Sequence, residues 1–183
     1  STGAGWCDAD GLGVSLPMNV VLIGYRGTGK STVGKLVAAC LDRVLVSTDA
    51  EIVKLVGQSI PEIVEQHGWE YFRDLETKIC QDLAGRDAVV IDTGGGAILR
   101  SQNIEGLKRT GKLFWLTAPV ESIAKRIGAD TQRPSLTGTK SFIDEIQDVL
   151  RERTPKYQAA ADYIIETDGK STTQVADEIL ARL

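Results

Sequence analysis

A phosphate-binding motif constrains this 183-residue chain more than any other feature of its sequence. Residues 24–31 read GYRGTGKS and match the pattern GxxxxGK[ST] at every fixed position. The motif follows an apolar run at 19–23 and leads into 30–41, where apolar residues recur at helical spacing. In this context backbone N–H groups and the helix N-terminus cradle phosphates. A glycine-rich turn that precedes a helix by chance is the alternative, and the full match in the right context argues against it.

The loop predicts a nucleotide triphosphate site with a bound metal ion. We expect Lys30 to reach the β- and γ-phosphates and the Ser31 hydroxyl to bind the Mg²⁺ that bridges them. The other nucleotide-binding residues expected here are Gly27, Thr28, Gly29 and Thr32. The sequence contains no NKxD guanine-reading motif, and its length leaves little room for switch or motor machinery. A small-molecule kinase that uses ATP is therefore favoured over a GTPase or a motor.

Strand and helix patterns alternate along the chain. Apolar runs predict strands at 19–23, 44–46, 88–91, 112–116 and 163–165. Helical periodicity predicts helices at 30–41, 49–56, 60–84 with an interruption at Gly68, 101–110, 120–127, 141–161 with a break near Pro155, and 172–183. This alternation predicts an α/β three-layer P-loop domain, with a five-stranded parallel sheet and helices on both faces.

The same patterns divide the chain into functional segments. Residues 18–183 are expected to form one kinase domain, in which the helices of 49–84 form a helical substrate-binding insert. Residues 128–140 are polar and rich in turn-forming types, which favours a mobile lid. Residues 1–17 lack an apolar period and are interpreted as a disordered leader or a remnant of cloning.

Composition limits the partners. The formal net charge of −4 gives no general attraction to nucleic acid, and no apolar stretch approaches the roughly 20 residues that span a bilayer. Neither nucleic acid nor a membrane is therefore expected as a partner. The three cysteines are widely spaced and form no zinc pattern, which favours a reduced, cytoplasmic compartment. No feature demands an oligomer, so a monomer is expected.

Further signals follow the phosphate loop in a fixed order. They are Thr48-Asp49, Phe72-Arg73 with Glu76, Gly94-Gly95-Gly96 after a strand, Arg133-Pro134 in a polar loop, and Arg153-Thr154-Pro155-Lys156-Tyr157. Together with the loop, this series closely resembles the shikimate kinase family from residue 19 to about residue 183. The resemblance implies that ATP, with Mg²⁺, phosphorylates the 3-hydroxyl of shikimate in the pathway to aromatic amino acids.

Two arginines fit the carboxylate of such a substrate. Arg73 and Arg153 present planar forks that can bind both carboxylate oxygens at once. From the residues alone, a solvated helical arginine is the more frequent situation, with Arg73 pairing with Glu76. The resemblance favours substrate binding, and it adds Phe72 and Glu76 to the substrate site.

An aspartate and a glycine turn fit the reacting end of the substrate. The resemblance makes Asp49 the group that accepts a hydrogen bond, and then the proton, from the attacking hydroxyl. The alternative is a plain helix start, because Thr48 and Glu51 have capping-box spacing. Residues 94–96 would let backbone N–H groups approach the substrate ring, and a simple tight turn is the alternative. Strand ends of a doubly wound sheet are where ligands bind, which favours the functional interpretation.

Two arginines are assigned to the nucleotide by the resemblance alone. Arg133, in the predicted lid, would close over the phosphates and exclude water. Arg126 would lie along the adenine ring, and a solvated helical arginine is its alternative.

The sequence departs from the family pattern at one position. Many shikimate kinases carry an acid two residues before the substrate aspartate, where it helps to hold magnesium, and this chain has Ser47 there. Asp92 ends an apolar strand in the manner of a Walker B acid. We hypothesise that Asp92 takes over the magnesium role, against the alternative that it caps a turn. The departure also leaves two rivals open: a kinase for another small acid such as gluconate, and a nucleotide-binding module without turnover.

Overall fold

A five-stranded parallel sheet organises the computed structural model, which describes residues 18–128 and 142–183. The strands are β1 (Asn19–Ile23), β2 (Leu45–Ser47), β3 (Val90–Asp92), β4 (Gly111–Thr117) and β5 (Tyr163–Glu166). Their order across the sheet is β2-β3-β1-β4-β5, and every neighbouring pair is parallel. The strand that precedes the phosphate loop is therefore the central one, and the predicted sheet is confirmed.

The helices lie between the strands as the periodicity predicts. They are α1 (Lys30–Leu41), α2 (Thr48–Val56), α3 (Ile60–His67), α4 (Trp69–Ala84), α5 (Ser101–Thr110), α6 (Val120–Gly128), α7 (Phe142–Ala160) and α8 (Thr172–Leu180), with a short 3₁₀ turn at Ala97–Leu99. The break at Gly68 is confirmed, because this glycine ends α3 and precedes α4.

The predicted break near Pro155 is wrong, because α7 runs through this proline without interruption. A proline inside a helix removes one hydrogen bond to the carbonyl four residues earlier, here that of Arg151. Arg151 is exposed, so water can bind the carbonyl that Pro155 leaves without a helical donor. The apolar contacts of Ile146, Tyr157 and Ala160 hold both halves of the helix in place.

The core forms two layers around β1, which is completely buried. Val20 and Leu22 point to one face of the sheet, where α1 and α8 cover them. Val21 and Ile23 point to the other face, where they pack with side chains of α4, α5 and α7. This alternation follows from the period of two in a strand, and it confirms the three-layer architecture.

The register brings three loops together at one edge of the sheet. Ser47 of β2 lies beside Asp92 of β3, and Asp92 lies beside Leu22 of β1. In a parallel sheet all carboxyl ends meet at the same edge, so the chain leaving each of these strands enters the same region. The phosphate loop, the start of α2 and the glycines after β3 are therefore neighbours.

Some predictions concern residues outside the described ranges. Residues 1–17, the lid residues 129–140 and Arg133 lie there, and the division of the chain into insert and lid stays a prediction. Within the described ranges, no helix combines the length and apolarity needed to span a bilayer.

A buried amide ties the start of β1 to the chain before β3. Asn19 is 0% exposed, its Nδ2 donates to the Arg86 carbonyl at 2.8 Å, and its Oδ1 accepts from Val89 N at 2.9 Å. Asn19→Ala leaves both backbone groups without this partner, so we expect the free energy of unfolding to fall by about 2–4 kcal/mol in urea denaturation. Gln58→Ala, which removes an exposed amide pair with Gln66, is the control and should change it by about 0.5 kcal/mol or less.

Candidate active site

The phosphate loop wraps around the Lys30 ammonium group. Lys30 is 8% exposed, and its Nζ donates to the carbonyls of Gly24 and Tyr25 at 2.8 and 3.0 Å. Thr28 Oγ1 also donates to the Tyr25 carbonyl at 2.8 Å. Gly29 precedes the first turn of α1, whose backbone N–H groups remain available to an anion. The loop thus holds a cation and a helix N-terminus at the end of β1.

Helix α6 packs directly against this loop. A β-carbon at Gly27 would lie 2.9 Å from Ile127 Cγ1, so only glycine allows the two segments to approach this closely. Arg126, one residue earlier on α6, donates from Nη1 to the Gly27 carbonyl at 3.0 Å. Arg126 therefore lies beside the loop, as the sequence prediction requires.

A groove of about 610 Å³ opens on one side of the loop. It is lined by Thr28, Gly29, Thr32, Val33, Arg126, Thr167, Lys170, Thr172 and Val175. Four of these residues are predicted nucleotide-binding residues; of the others, Val33 belongs to α1, Thr167 and Lys170 to the segment after β5, and Thr172 and Val175 to α8. Lys30 and Ser31 lie in the same turn of α1, so the groove has the composition expected of a nucleotide site.

A second cleft, also of about 610 Å³ including its open mouth, lies on the other side of the loop. It is lined by Tyr25, Arg26, Asp49, Ile60, Trp69, Phe72, Arg73, Glu76, Gly94, Gly95, Gly96 and Arg153. Every residue predicted from the sequence to bind substrate lines this one cleft. Because Tyr25 and Arg26 face the cleft while Thr28 and Gly29 face the groove, the phosphate loop separates the two.

The start of α2 and the glycine turn form one unit. Ser47 caps α2 by accepting from Ala50 N at 3.3 Å, so the capping box of Thr48 and Glu51, weighed as the alternative to a functional Asp49, does not form. Thr48 is instead fully buried, and its Oγ1 accepts from Gly94 N at 2.8 Å. The Gly94 N–H is therefore used in a hydrogen bond that ties the glycine turn to the start of α2. A β-carbon at Gly94 would lie 2.7 Å from Asp49 Oδ1, so the carboxylate of Asp49 lies against the turn.

Two other helices hold the same glycine turn in place. Tyr157 of α7 is buried, stacks on the Trp115 ring at 5.6 Å between centroids, and donates its hydroxyl to the Gly95 carbonyl. Burial raises the pKa of Tyr157 to about 12, so the phenol stays protonated as a donor. Asn103 of α5 donates to the Ala97 carbonyl at 3.0 Å.

Arg73 and Glu76 form a buried pair in the wall of the cleft. Arg73 Nη1 donates to Glu76 Oε1 at 2.9 Å, and the guanidinium lies so close to Gly96 that a β-carbon there would overlap with it. Glu76 is 1% exposed, and its Oε2 has no hydrogen-bond partner among the described residues. Burial raises the pKa of Glu76 above the ordinary carboxyl value, although the charge and hydrogen bond of Arg73 oppose this. The wall of the cleft thus contains a buried carboxyl oxygen, Glu76 Oε2, whose capacity for hydrogen bonds is not used by the described residues.

Asp92 lies among charged neighbours at the end of β3. Burial raises the pKa of Asp92, Asp49 adds to the rise, and Lys30 opposes it. These effects place the Asp92 carboxylate near both the phosphate-binding lysine and the predicted base. Its register partner on β2 is Ser47, the position where the family pattern has an acid. The sheet therefore brings a carboxylate next to the position that lacks one.

The donors at this point fit magnesium. Ser31 and Asp92 supply a hydroxyl and a carboxylate, and Mg²⁺ is usually held by one or two protein oxygens together with phosphate and water. No cluster of three or more histidine, cysteine or acidic side chains suited to a metal occurs in the part of the chain described. This arrangement fits a metal site in which the phosphates of a nucleotide supply further ligands.

The sequence reasoning missed several residues that line the two sites. Tyr25 and Arg26 are variable positions of the motif, so the pattern gives them no weight. Trp69 precedes Arg73 by four residues, and this helical spacing could have placed it on the same face. Thr167 and Lys170 follow the carboxyl end of β5, and the ligand-binding edge of a parallel sheet could have indicated them.

The raised pKa of Glu76 predicts how stability changes with pH. The unfolded chain has the ordinary carboxyl pKa of 4.5 and the folded protein a higher one, so the folded state binds this proton more tightly. Its contribution to stability is complete below pH 4.5 and is lost as the pH rises through the folded pKa. We therefore expect the free energy of unfolding of the wild type, measured by urea denaturation and compared with that of Glu76→Gln, to fall as the pH rises from 4.5 through the folded pKa of Glu76.

Glu65→Gln, on the exposed side of α3, is the matched control for the same pH series. A wild-type advantage over Glu76→Gln that grows as the pH rises would contradict the assignment of Glu76 as a carboxyl whose pKa is raised by folding.

Comparisons with known proteins agree with the site. The family model for shikimate kinase matches residues 26–183. A shikimate kinase of Nitratidesulfovibrio vulgaris is 42% identical over 161 residues, which cover 86% of this chain and 91% of that protein. The solved structure of shikimate kinase from Acinetobacter baumannii in complex with shikimate has a TM-score of 0.85 at 38% identity and covers 92% of this chain and 93% of its own.

A more distant match bears on the rival substrate. The structure of a gluconokinase from Sinorhizobium meliloti has a TM-score of 0.53 at 17% identity, with 91% of each chain covered. Such a likeness shows the fold alone, whereas the matches above share sequence along nearly the whole length. The chain belongs to the shikimate kinase family.

Proposed function

We propose that this protein transfers the γ-phosphate of ATP to the 3-hydroxyl of shikimate. The observation that carries the proposal is the cleft beside the phosphate loop, in which Arg73, Arg153 and Asp49 face a common space. A ring with a carboxylate at one end and a hydroxyl at the other needs cations and a proton acceptor in this arrangement. Action as a monomer stays a prediction from the sequence.

The arginines bind and orient the substrate. Arg73 keeps donors beyond the one it gives to Glu76, and Arg153 lies across the cleft with Nη1 3.4 Å from the β-carbon position of Gly95. Their planar forks bind the substrate carboxylate, whose charge also compensates for the buried cations. Fixing the carboxylate end leaves the hydroxyl end directed to Asp49 and the glycine turn.

Asp49 accepts the hydroxyl proton. As the substrate oxygen attacks the γ-phosphorus, its O–H proton passes to the Asp49 carboxylate, the bond from the γ-phosphorus to the bridging oxygen breaks, and ADP leaves with that oxygen. Lys30, at the root of the loop, neutralises charge on the phosphates. Most of the catalysis in such a transfer is positioning and charge stabilisation, for which the rigid sheet edge is suited.

The nucleotide occupies the groove on the other side of the loop. Gly27, Thr28 and Gly29 offer backbone N–H groups, and Arg126, which lines the groove and contacts Gly27, is proposed to lie along the adenine ring. Arg133, outside the described residues, is proposed as the lid arginine on the strength of the resemblance. The use of ATP fits a cytoplasmic enzyme, and so do the thiol side chains of Cys40 and Cys80.

Magnesium is proposed to bind between Ser31 and Asp92. When bound, the ion neutralises charge on the phosphates and so lowers the barrier to transfer. Ser31 provides its hydroxyl from the first turn of α1. Asp92 provides its carboxylate from the end of β3, where Lys30 keeps the charged form accessible.

An acceptor assay tests the proposed reaction. We expect the purified protein with MgATP to release ADP when shikimate is present, and to release little with gluconate or with no acceptor. Asp49→Asn should lower kcat by about 10²–10⁴-fold, because it removes the proton acceptor while keeping the shape of the side chain. Release with gluconate would reject the substrate assignment, and nucleotide binding without acceptor-dependent release would favour the silent module.

A pair of substitutions tests the magnesium assignment. Asp92→Asn should raise the Mg²⁺ concentration for half-maximal activity about tenfold or more and weaken Mg²⁺-dependent ADP binding in calorimetry. Adding Ser47→Asp should restore both, because position 47 is the register neighbour of position 92 and aspartate also caps helices well. An unchanged magnesium dependence in Asp92→Asn would show that Asp92 only caps the turn.

A further inference from the structure

Trp69 is a large aromatic residue at the wall of the substrate cleft with no role so far. It is the first residue of α4, and its side chain is 48% exposed. It lines the cleft together with Arg73 and Glu76. An indole held at the border of a charged cleft presents both a broad apolar face and a π-face that attracts cations.

The indole contacts the arginine that is proposed to bind the substrate carboxylate. Arg73 Cζ lies 5.4 Å from the Trp69 ring and 5.3 Å from the Phe72 ring, both within the range of a cation–π contact. The two rings meet edge to face at 5.8 Å, so they support each other. Trp69 and Arg73 are four residues apart on one helix, which places them on the same face.

The contacts around Arg73 define its orientation. Glu76 Oε1 binds one terminal nitrogen, and the Gly96 backbone lies beside the guanidinium. Phe72 is buried and supports the group from inside the protein, whereas Trp69 is half-exposed and supports it from the solvent side. An arginine side chain has many rotamers, so removing one of these supports lets the fork leave the position in which both donors meet a carboxylate.

We propose that Trp69 is a positioning residue for the substrate site, which holds the Arg73 guanidinium by its π-face and packs against the ring of a cyclic carboxylate substrate. The inference rests on the proposed function, since it needs shikimate in the cleft. It gives the site a reason to prefer a ring with an apolar face over an open-chain hydroxy acid. Phe72 and Trp69 together then form an aromatic support around one cation.

Three variants test the role of the indole. We expect Trp69→Leu to raise the Kd of shikimate in calorimetry and its KM by roughly three- to thirtyfold, with kcat within about twofold, because the cation–π contact is lost and Lys30 and Asp49 are untouched. Trp69→Phe keeps a π-face and should restore most of the affinity. Tyr71→Leu is the matched control, since Tyr71 is 38% exposed on the same helix and its ring contacts the His67 ring, tilted, at 4.4 Å between centroids.

Tryptophan fluorescence gives a readout that a merely structural role would not change. Shikimate binding should bury Trp69 and shift the emission of the wild type to the blue with a saturable titration. In a Trp6→Phe background, which leaves two tryptophans, the shift should be lost in Trp69→Phe although that variant still binds shikimate, because Trp115, stacked on Tyr157, does not line the cleft. Thermal unfolding of all variants within about 2 °C of the wild type would show that the fold is intact.

The outcomes separate this inference from the proposed function. A wild-type protein that phosphorylates shikimate, with a Trp69→Leu variant of unchanged Kd, would overturn the role of Trp69 and leave the function standing. A kcat loss in Trp69→Leu at unchanged Kd would also overturn it. A wild type that fails to bind or phosphorylate shikimate would instead reject the proposed function, and the inference with it.

Discussion

Complete burial of β1 is the constraint on which the site depends. Because helices cover both faces of this strand and β3 and β4 pair with its edges, the residues that follow Ile23 start from a fixed point. The register then sets Asp92 and Ser47 beside the same point. The phosphate loop, the proposed magnesium donors and the predicted base thus share one edge of the sheet, and none of them relies on a long loop for its position. Rigid positioning of this kind is what a phosphoryl transfer needs most.

The same edge of the sheet holds several charged side chains in a region of low dielectric constant, and their burial lowers the stability of the fold. Burial removes water from the carboxylates of Glu76 and Asp92 and so raises both pKa values. Arg73 offsets part of this cost for Glu76, and Lys30 offsets part of it for Asp92. A protein selected for stability alone would place apolar residues here. The retained charges fit the proposed function, in which a carboxylate substrate and a nucleotide complete the charge balance.

Local patterns allowed most of the fold and the phosphate loop to be predicted, whereas most of the other candidate site residues came from the family resemblance, and the failures have physical causes. The phosphate loop, the strand ends and the break at Gly68 depend on short-range rules. Thr48 and Ser47 both fit a helix cap, and only the tertiary contact of Thr48 with Gly94 decides between them. Pro155 should end an isolated helix, but packing holds α7 together. Tyr157 and Trp69 act through distant or same-face partners that no motif encodes.

The exchange proposed between positions 47 and 92 rests on a property of parallel sheets, which can carry a charge on either of two neighbouring strand ends at the same edge. Neighbouring strands are about 4.8 Å apart, so a carboxylate on β3 reaches nearly the same space as one on β2. With the acid on β3, Ser47 can use its hydroxyl to cap α2, the helix that carries Asp49. An aspartate at position 47 would have to serve the cap and the metal at once. In the proposed arrangement Asp92 holds the metal, and Ser47 caps α2 independently of it.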